Sequence, residues 1–238
     1  MWVTSSKWGP WQGELLHLSY GTCSLFGVLH ESVHVPDAPE CCDQVVQGGV
    51  TAFPLKFQSG IMRARFNPVD GQLYATGLRG WQTSAVKNGC FQRVRYTGQP
   101  VRMPIGLAAR KGGIEVKFTS SLDTQQACDP DNWSVEVWNY IWSSAYGSPE
   151  VSTLTPVEQP GEIGREGESE FSKAQMSKPK HDVLAVKSIA MGTDDRTVFL
   201  EIPDVKPVMQ MSIKYRIKAA DGVEMKGEVV NTINALGE

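Results

Sequence analysis

Apolar and polar residues alternate along most of the chain in short runs, and Gly, Pro, Asn and Asp cut those runs every few positions. Residues 15–18, 23–28, 61–66, 72–77 and 90–95 carry the two-residue period of half-buried strands. Residues 113–118, 133–140, 183–189, 197–202 and 209–217 repeat it farther on, separated by the turns Asp129-Pro130-Asp131-Asn132, Asp194-Asp195-Arg196 and Ala220-Asp221-Gly222. No window of helical length keeps apolar residues at a three-to-four spacing. The pattern predicts an all-β chain.

Two parts emerge. Within residues 1–103, Gly13-Glu14-Leu15-Leu16-His17-Leu18 leads to the run at 23–28, and Gly71-Gln72-Leu73-Tyr74-Ala75-Thr76 leads to the run at 90–95, the copies starting 58 residues apart. A repeat of short antiparallel strands at that period predicts about two blades of a β-propeller with long inter-strand loops. The turn Asn67-Pro68-Val69-Asp70-Gly71 closes a blade's first hairpin. Residues 104–238 read as an immunoglobulin-like β-sandwich, a module that mostly spaces, caps or binds. Inside it, residues 143–180 are rich in Ser, Pro, Gly and Glu, and the stretch 156–180 is expected to be a mobile surface loop. Two blades cannot close a ring, so residues 1–103 are expected to be marginal alone and 104–238 to fold on their own core.

Composition narrows the chemistry. The 238 residues hold 41% hydrophobic and 21% charged residues, with a net charge of -3 and a pI near 5.9; this is a globular balance with no general electrostatic footing for nucleic acid. No apolar stretch reaches the roughly 18 residues of a membrane span, and no signal peptide leads the chain as given. Five cysteines without CxxC or CxxCH spacing exclude zinc ribbons, thioredoxin-type pairs and covalent haem in this chain; the adjacent Cys41-Cys42 reads as a loop feature, and disulfide pairing stays open. His30-Glu31-Ser32-Val33-His34 fits the zinc-protease spacing, which needs a helix to bring both imidazoles to one metal. Here β-branched Val33 and Val35 and the closing Pro36 predict a strand, which holds the histidines about 13 Å apart. No metal site is expected.

The segments GELLHLSYGTCSLF, SGIMRARFNPVDGQLYATGLRGWQTSAVKNGCFQRVRYTG, NWSVEVWNY, YGSPE and RTVFLEIPDVKPVMQMSIKY closely resemble the C-terminal region of large exported proteins of planctomycetes and verrucomicrobia. Those proteins join a propeller similar to glucose and sorbosone dehydrogenases to a c-type cytochrome module. The resemblance implies the C-terminal fragment of an exported or periplasmic quinoprotein-like sugar dehydrogenase, not catalytic by itself. Its partners would be the upstream blades and the cytochrome module, and pyrroloquinoline quinone and haem c would belong to the parent. Quinoprotein sugar dehydrogenases take an arginine for the acidic quinone from a blade strand ahead of a PDG turn; Arg63 matches that position and Arg65 shares its face. The lysine of the preceding blade is replaced by Ser19-Tyr20-Gly21-Thr22, and the catalytic histidine belongs to an early blade, so no catalytic residue carries over.

Apart from the resemblance, Arg79 and Trp81 in a long loop, and His17 in a strand, are candidate ligand contacts. Trp138, Tyr140, Trp142 and Tyr146 offer a carbohydrate-binding face or ordinary core packing. The alternative function is thus a non-catalytic module holding a carbohydrate or a neighbouring protein.

Overall fold

In the computed structural model, which describes residues 1–35, 43–141, 148–154 and 180–238, the alternating runs become antiparallel strands gathered into three open sheets. β1 (Leu15–Ser19), β2 (Ser24–His34) and β3 (Gln44–Ala52) form one meander, and β4 (Gly60–Phe66), β5 (Leu73–Leu78) and β6 (Gly89–Val94) a second. β7 (Pro104–Arg110) and β8 (Gly113–Phe118) follow as a hairpin, then β9 (Trp133–Tyr140), β10 (Glu150–Val151), β11 (Asp182–Leu184), β12 (Ser188–Met191), β13 (Thr197–Glu201), β14 (Val208–Lys218) and β15 (Glu224–Ile233). A short helix, α1 (Thr124–Ala127), is capped by the Asp123 carboxylate, which accepts from the Gln126 amide at 3.0 Å.

The first meander does not stand alone. β3 pairs with β15 from Thr51 opposite Val229 to Gly48 opposite Thr232, so a single sheet runs in the order β1-β2-β3-β15-β14-β9, with β10 and β11 both on the free edge of β9. This sheet crosses the sequence position near 103 where a division was expected. The two copies of the repeat both form hairpins, β1–β2 and β5–β6, but in different sheets. The expected strand at 183–189 is two strands: β11 pairs with β9, and β12 pairs with β13 in another sheet. Leu184 is buried on one sheet and Ile189 on the other, and the chain crosses the core edge between them.

Alternation decides the layers. On the large sheet Leu16, Leu25, Leu29, Val135, Val137, Met211, Ile213 and Val229 are buried inward. The three-stranded sheet covers the β1–β3 half with Ile61, Ala64, Leu73 and Ala75, while the sheet β12-β13-β8-β7 covers the other half with Ile114, Val116, Phe118, Val198 and Leu200. Phe118 meets Trp133 and Tyr215 edge-on across the second interface at 6.4 and 5.2 Å. Burial raises the Tyr215 phenol pKa.

Where the halves meet, the inward side chains are polar. Gln47 donates to Glu31 Oε1 and to the Ala235 carbonyl, both at 2.8 Å, and accepts from the amides of Asn234 at 2.8 Å and Ala235 at 2.9 Å. Its amide capacity is thereby filled. Glu31 also accepts from the Ala109 amide at 2.7 Å and from Arg110 at 2.8 Å. Two residues thus tie β2, β3, β7 and the tail after β15. Glu31→Ala leaves the Ala109 amide and the Gln47 and Arg110 donors short of an acceptor, so it should lower unfolding free energy by about 2 kcal/mol in chemical denaturation; a loss under about 0.5 kcal/mol would contradict this role.

A second carboxylate is held by the chain around it. Burial alone would push the buried Asp182 up, but hydrogen bonds from Ser152 Oγ (2.6 Å), Thr153 N (2.5 Å), Thr153 Oγ1 (2.9 Å) and Leu154 N (3.1 Å) outweigh it and hold the carboxyl below its usual range. A depressed folded value stabilises above the unfolded value of about 3.9, and that stability is lost as pH falls through the folded value. Hydrogen exchange corrected for intrinsic rates should therefore accelerate at residues 152–154 below about pH 4. Asp182→Asn should show that acceleration already at pH 7.

Candidate functional site

The β4–β5 turn sets the register of everything on the three-stranded sheet. Gly71 sits at φ 72°, its amide donates to the Asn67 carbonyl at 2.8 Å, and the Asn67 side chain accepts from the Val69 amide at 2.9 Å. Arg65 then lies opposite Tyr74, and Arg63 opposite Thr76; β6 adds Arg93 opposite Tyr74 and Phe91 opposite Thr76. Since Ala64, Leu73 and Ala75 are buried, the alternate residues share the outer face. Two cross-strand rows result, Arg65–Tyr74–Arg93 and Arg63–Thr76–Phe91, roughly 7 Å apart along the strands.

Charge and ring surface on this face are committed only locally, Arg93 to the attraction of the Asp70 carboxylate and the rings to each other. Arg63 and Arg65 each donate only to a neighbouring carbonyl, of Met62 at 2.9 Å and Ala64 at 2.7 Å, and the arginine ion pairs among the described residues are those of Arg102, Arg110 and Arg216. Phe91 is 75% exposed and stacks with Tyr74 at 5.7 Å and 26°. The hydroxyls are already used: Tyr74 donates to Asp70 at 2.6 Å, and Thr76 to the Cys90 carbonyl at 3.1 Å. The Tyr74 bond, then the Gln72 amide, holds the Asp70 carboxyl below its ordinary value. What remains for a partner is guanidinium forks and π faces, the chemistry of anion recognition beside an apolar contact.

Sequence reasoning singled out Arg63 and Arg65 and missed Tyr74, Phe91 and Arg93, which stand beside them. Net charge concealed the signal. Residues 53–103 hold eight arginines and lysines against one acid, Asp70, a surplus of seven in a chain whose net charge is -3.

The other expected contacts are scattered. Arg79 begins the β5–β6 loop, its amide donating to the Asn88 carbonyl at 2.9 Å, and Trp81 is 70% exposed on that loop. The loop is anchored to the β1–β2 turn by Ser84, whose amide and hydroxyl both donate to the Gly21 carbonyl at 2.9 and 3.1 Å. His17 lies on the outer face of the large sheet, 6.2 Å from the Phe26 ring, on the far side of the core from Arg63 and Arg65. Trp138 is buried, with the His181 ring stacked on it at 4.0 Å; His181 lies between Glu150 at 3.2 Å and Glu136 at 3.6 Å. Cys23, Cys90 and Cys128 are free thiols. Cys41, Cys42, Trp142, Tyr146 and the stretch 155–179 lie outside the described residues.

His30 and His34 both stand on β2, a strand, His30 edge-on to Trp2 at 5.8 Å and His34 near Asp43 at 3.9 Å. Among the described residues no group of three or more His, Cys, Asp or Glu is placed to hold a metal, and no helix is long and apolar enough to cross a membrane. No family model matches the chain, and neither the curated proteins nor the solved structures contain a match to it. Stoichiometric zinc should be absent from protein dialysed against the metal, and His30→Ala should leave its elemental analysis unchanged.

Proposed function

We propose that the chain is a non-catalytic module, the C-terminal part of an exported propeller protein similar to glucose and sorbosone dehydrogenases, in which the outer face of β4–β6 docks against the preceding blade. The observation that carries this reading is that face. A blade buries both of its surfaces between neighbours, and this three-stranded meander buries one while Met62, Leu78 and Phe91 stand 42%, 46% and 75% exposed. Such an apolar cluster on an otherwise charged sheet is the mark of an interaction surface. In this reading pyrroloquinoline quinone and haem c belong to the parent protein, and Arg63 and Arg65 reach a quinone carboxylate from the blade's edge.

Strand order supports an immunoglobulin-like assignment for the rest. The sheet β7-β8-β13-β12 opposite β15-β14-β9 matches the A-B-E-D and G-F-C orders of constant-type immunoglobulin domains. β3 pairs with β15, the last strand of that sandwich, which supports a module that holds the blade.

The arginine rows favour a second reading, an acidic carbohydrate lying along the same face, because three guanidinium groups, with only the Asp70 carboxylate drawn to Arg93, exceed what an apolar blade contact uses. One set of measurements separates the two. If the face is a blade contact, the chain should self-associate in sedimentation at tens of micromolar, Phe91→Asp should make it monomeric, and Arg65→Ala with Arg93→Ala should not. If it holds an acidic glycan, polygalacturonate in a native gel should retard the chain, and the double arginine variant should abolish the retardation. A monomer that ignores polygalacturonate would refute both. Aldose-dependent dye reduction with added quinone should be absent from the isolated chain; turnover would refute the non-catalytic assignment.

A further inference from the structure

We propose that the shallow cleft across the outer face of the large sheet, between Trp2 and Gln210, is a binding site for a short neutral oligosaccharide. It lies on the far side of the core from β4–β6, and the inference rests on neither reading of that sheet. Register builds the cleft. Leu15, Val28, Val50 and Val230 stand opposite one another on β1, β2, β3 and β15 and form one half-buried aliphatic row. Trp2 is bridged to Leu15 and extends this row, 55% exposed and with its ring edge-on to His30 at 5.8 Å. The neighbouring row is His30, Gly48 and Thr232. Because Gly48 has no side chain, the middle of that row is bare backbone. A hollow of about 660 Å³ opens there and reaches Gln210 on β14 and Asn234 just after β15. With strands about 4.8 Å apart, the five from β1 to β14 carry the cleft over roughly 20 Å, enough for several sugar rings in a row.

The walls select the ligand. None of the residues lining the cleft is Asp, Glu, Lys or Arg, in a chain with 21% charged residues. An ionic ligand would find no counter-charge in the lining. Outside it, the Glu14 carboxylate just before β1 is drawn to His30. The polar groups on offer are neutral. The side-chain amides of Gln210 and Asn234 make no hydrogen bond among the described residues, and neither is a buried orphan, so both are open to a ligand. Thr232 Oγ1 donates to the Met209 carbonyl at 2.8 Å and keeps its lone pairs. Amides that donate and accept, set beside an aliphatic floor and an exposed indole, match a pyranose. Its hydroxyls take both roles around the rim, while its C–H face lies on apolar and aromatic surface.

The full chain, labelled with 15N, is titrated with cellotetraose, xylotetraose and mannotetraose. At least one should bind at millimolar concentration or below and move the Trp2 indole signal, identified by its loss in Trp2→Phe, together with the side-chain amide signals of Gln210 and Asn234. Trp2→Ala should weaken that binding at least about ten-fold. Gln210→Ala with Asn234→Ala should weaken it too, and keeps the test open if Trp2→Ala loosens the bridge to Leu15. Arg65→Ala with Arg93→Ala should leave it unchanged, which separates this cleft from the face of β4–β6. Failure of all three sugars at tens of millimolar would overturn the proposal, as would binding that both cleft variants leave unchanged. A dimer in sedimentation that Trp2→Ala dissociates would overturn it as well, by giving the face to a second copy of the chain.

Discussion

Gln47 and Glu31 occupy positions where the strand alternation calls for apolar side chains, and the architecture depends on what they do there. Each is inward-facing at the line where the large sheet passes from one covering layer to the other, beside the buried Ala109 of β7. A buried amide or carboxylate in such a place is tolerable only when its hydrogen bonds are made. Gln47 makes four and Glu31 three, to β2, β3, β7 and the tail after β15. These directional bonds fix how the two halves meet, which apolar contact alone leaves free to slide.

The same line explains β3. Gly49 faces β15 so closely that a Cβ there would sit 2.4 Å from the Val230 carbonyl oxygen and 2.5 Å from the Asn231 Cβ. Glycine lets two backbones approach and the ladder between residues 48–51 and 229–232 close. With β3 joined to β15, the β1–β3 meander continues the sheet of β15, β14 and β9, and its inner face positions β4–β6. That packing turns the alternate residues of β4–β6 outward, so the exposed rows of Arg63, Arg65, Tyr74, Phe91 and Arg93 result from the core on the opposite side of the same strands.

Much of this was legible. Strands with clean alternation, β4, β5, β8, β9 and β13, lie within a residue or two of their expected positions, because one buried face imposes a period of two on the side chains. The hairpin at Asn67 to Gly71 was readable from its turn residues. β3 was not, since Gln47, Gly48 and Gly49 erase the alternation at the point where the strand does its joining. β15 is not legible either, and the run at 183–189 reads as one strand because a chain that changes sheets keeps its apolar content while changing its partner. In the candidate face, Arg63 and Arg65 were visible as a pair on one strand; Phe91 and Arg93, nearly thirty residues later, needed the register.

The sequence by itself determined local conformation: an all-β chain, its tight turns, the strand character of the His30–His34 segment and hence the separation of those two histidines. Those properties rest on side-chain period and on glycine and proline stereochemistry, which act within a few residues. Only the tertiary structure decided which strands share a sheet and which face of β4–β6 remains open. Such pairings join residues up to about 180 positions apart, as in β3 with β15, and their energy depends on the burial and hydrogen bonding of both partners together, a quantity that neither segment carries alone.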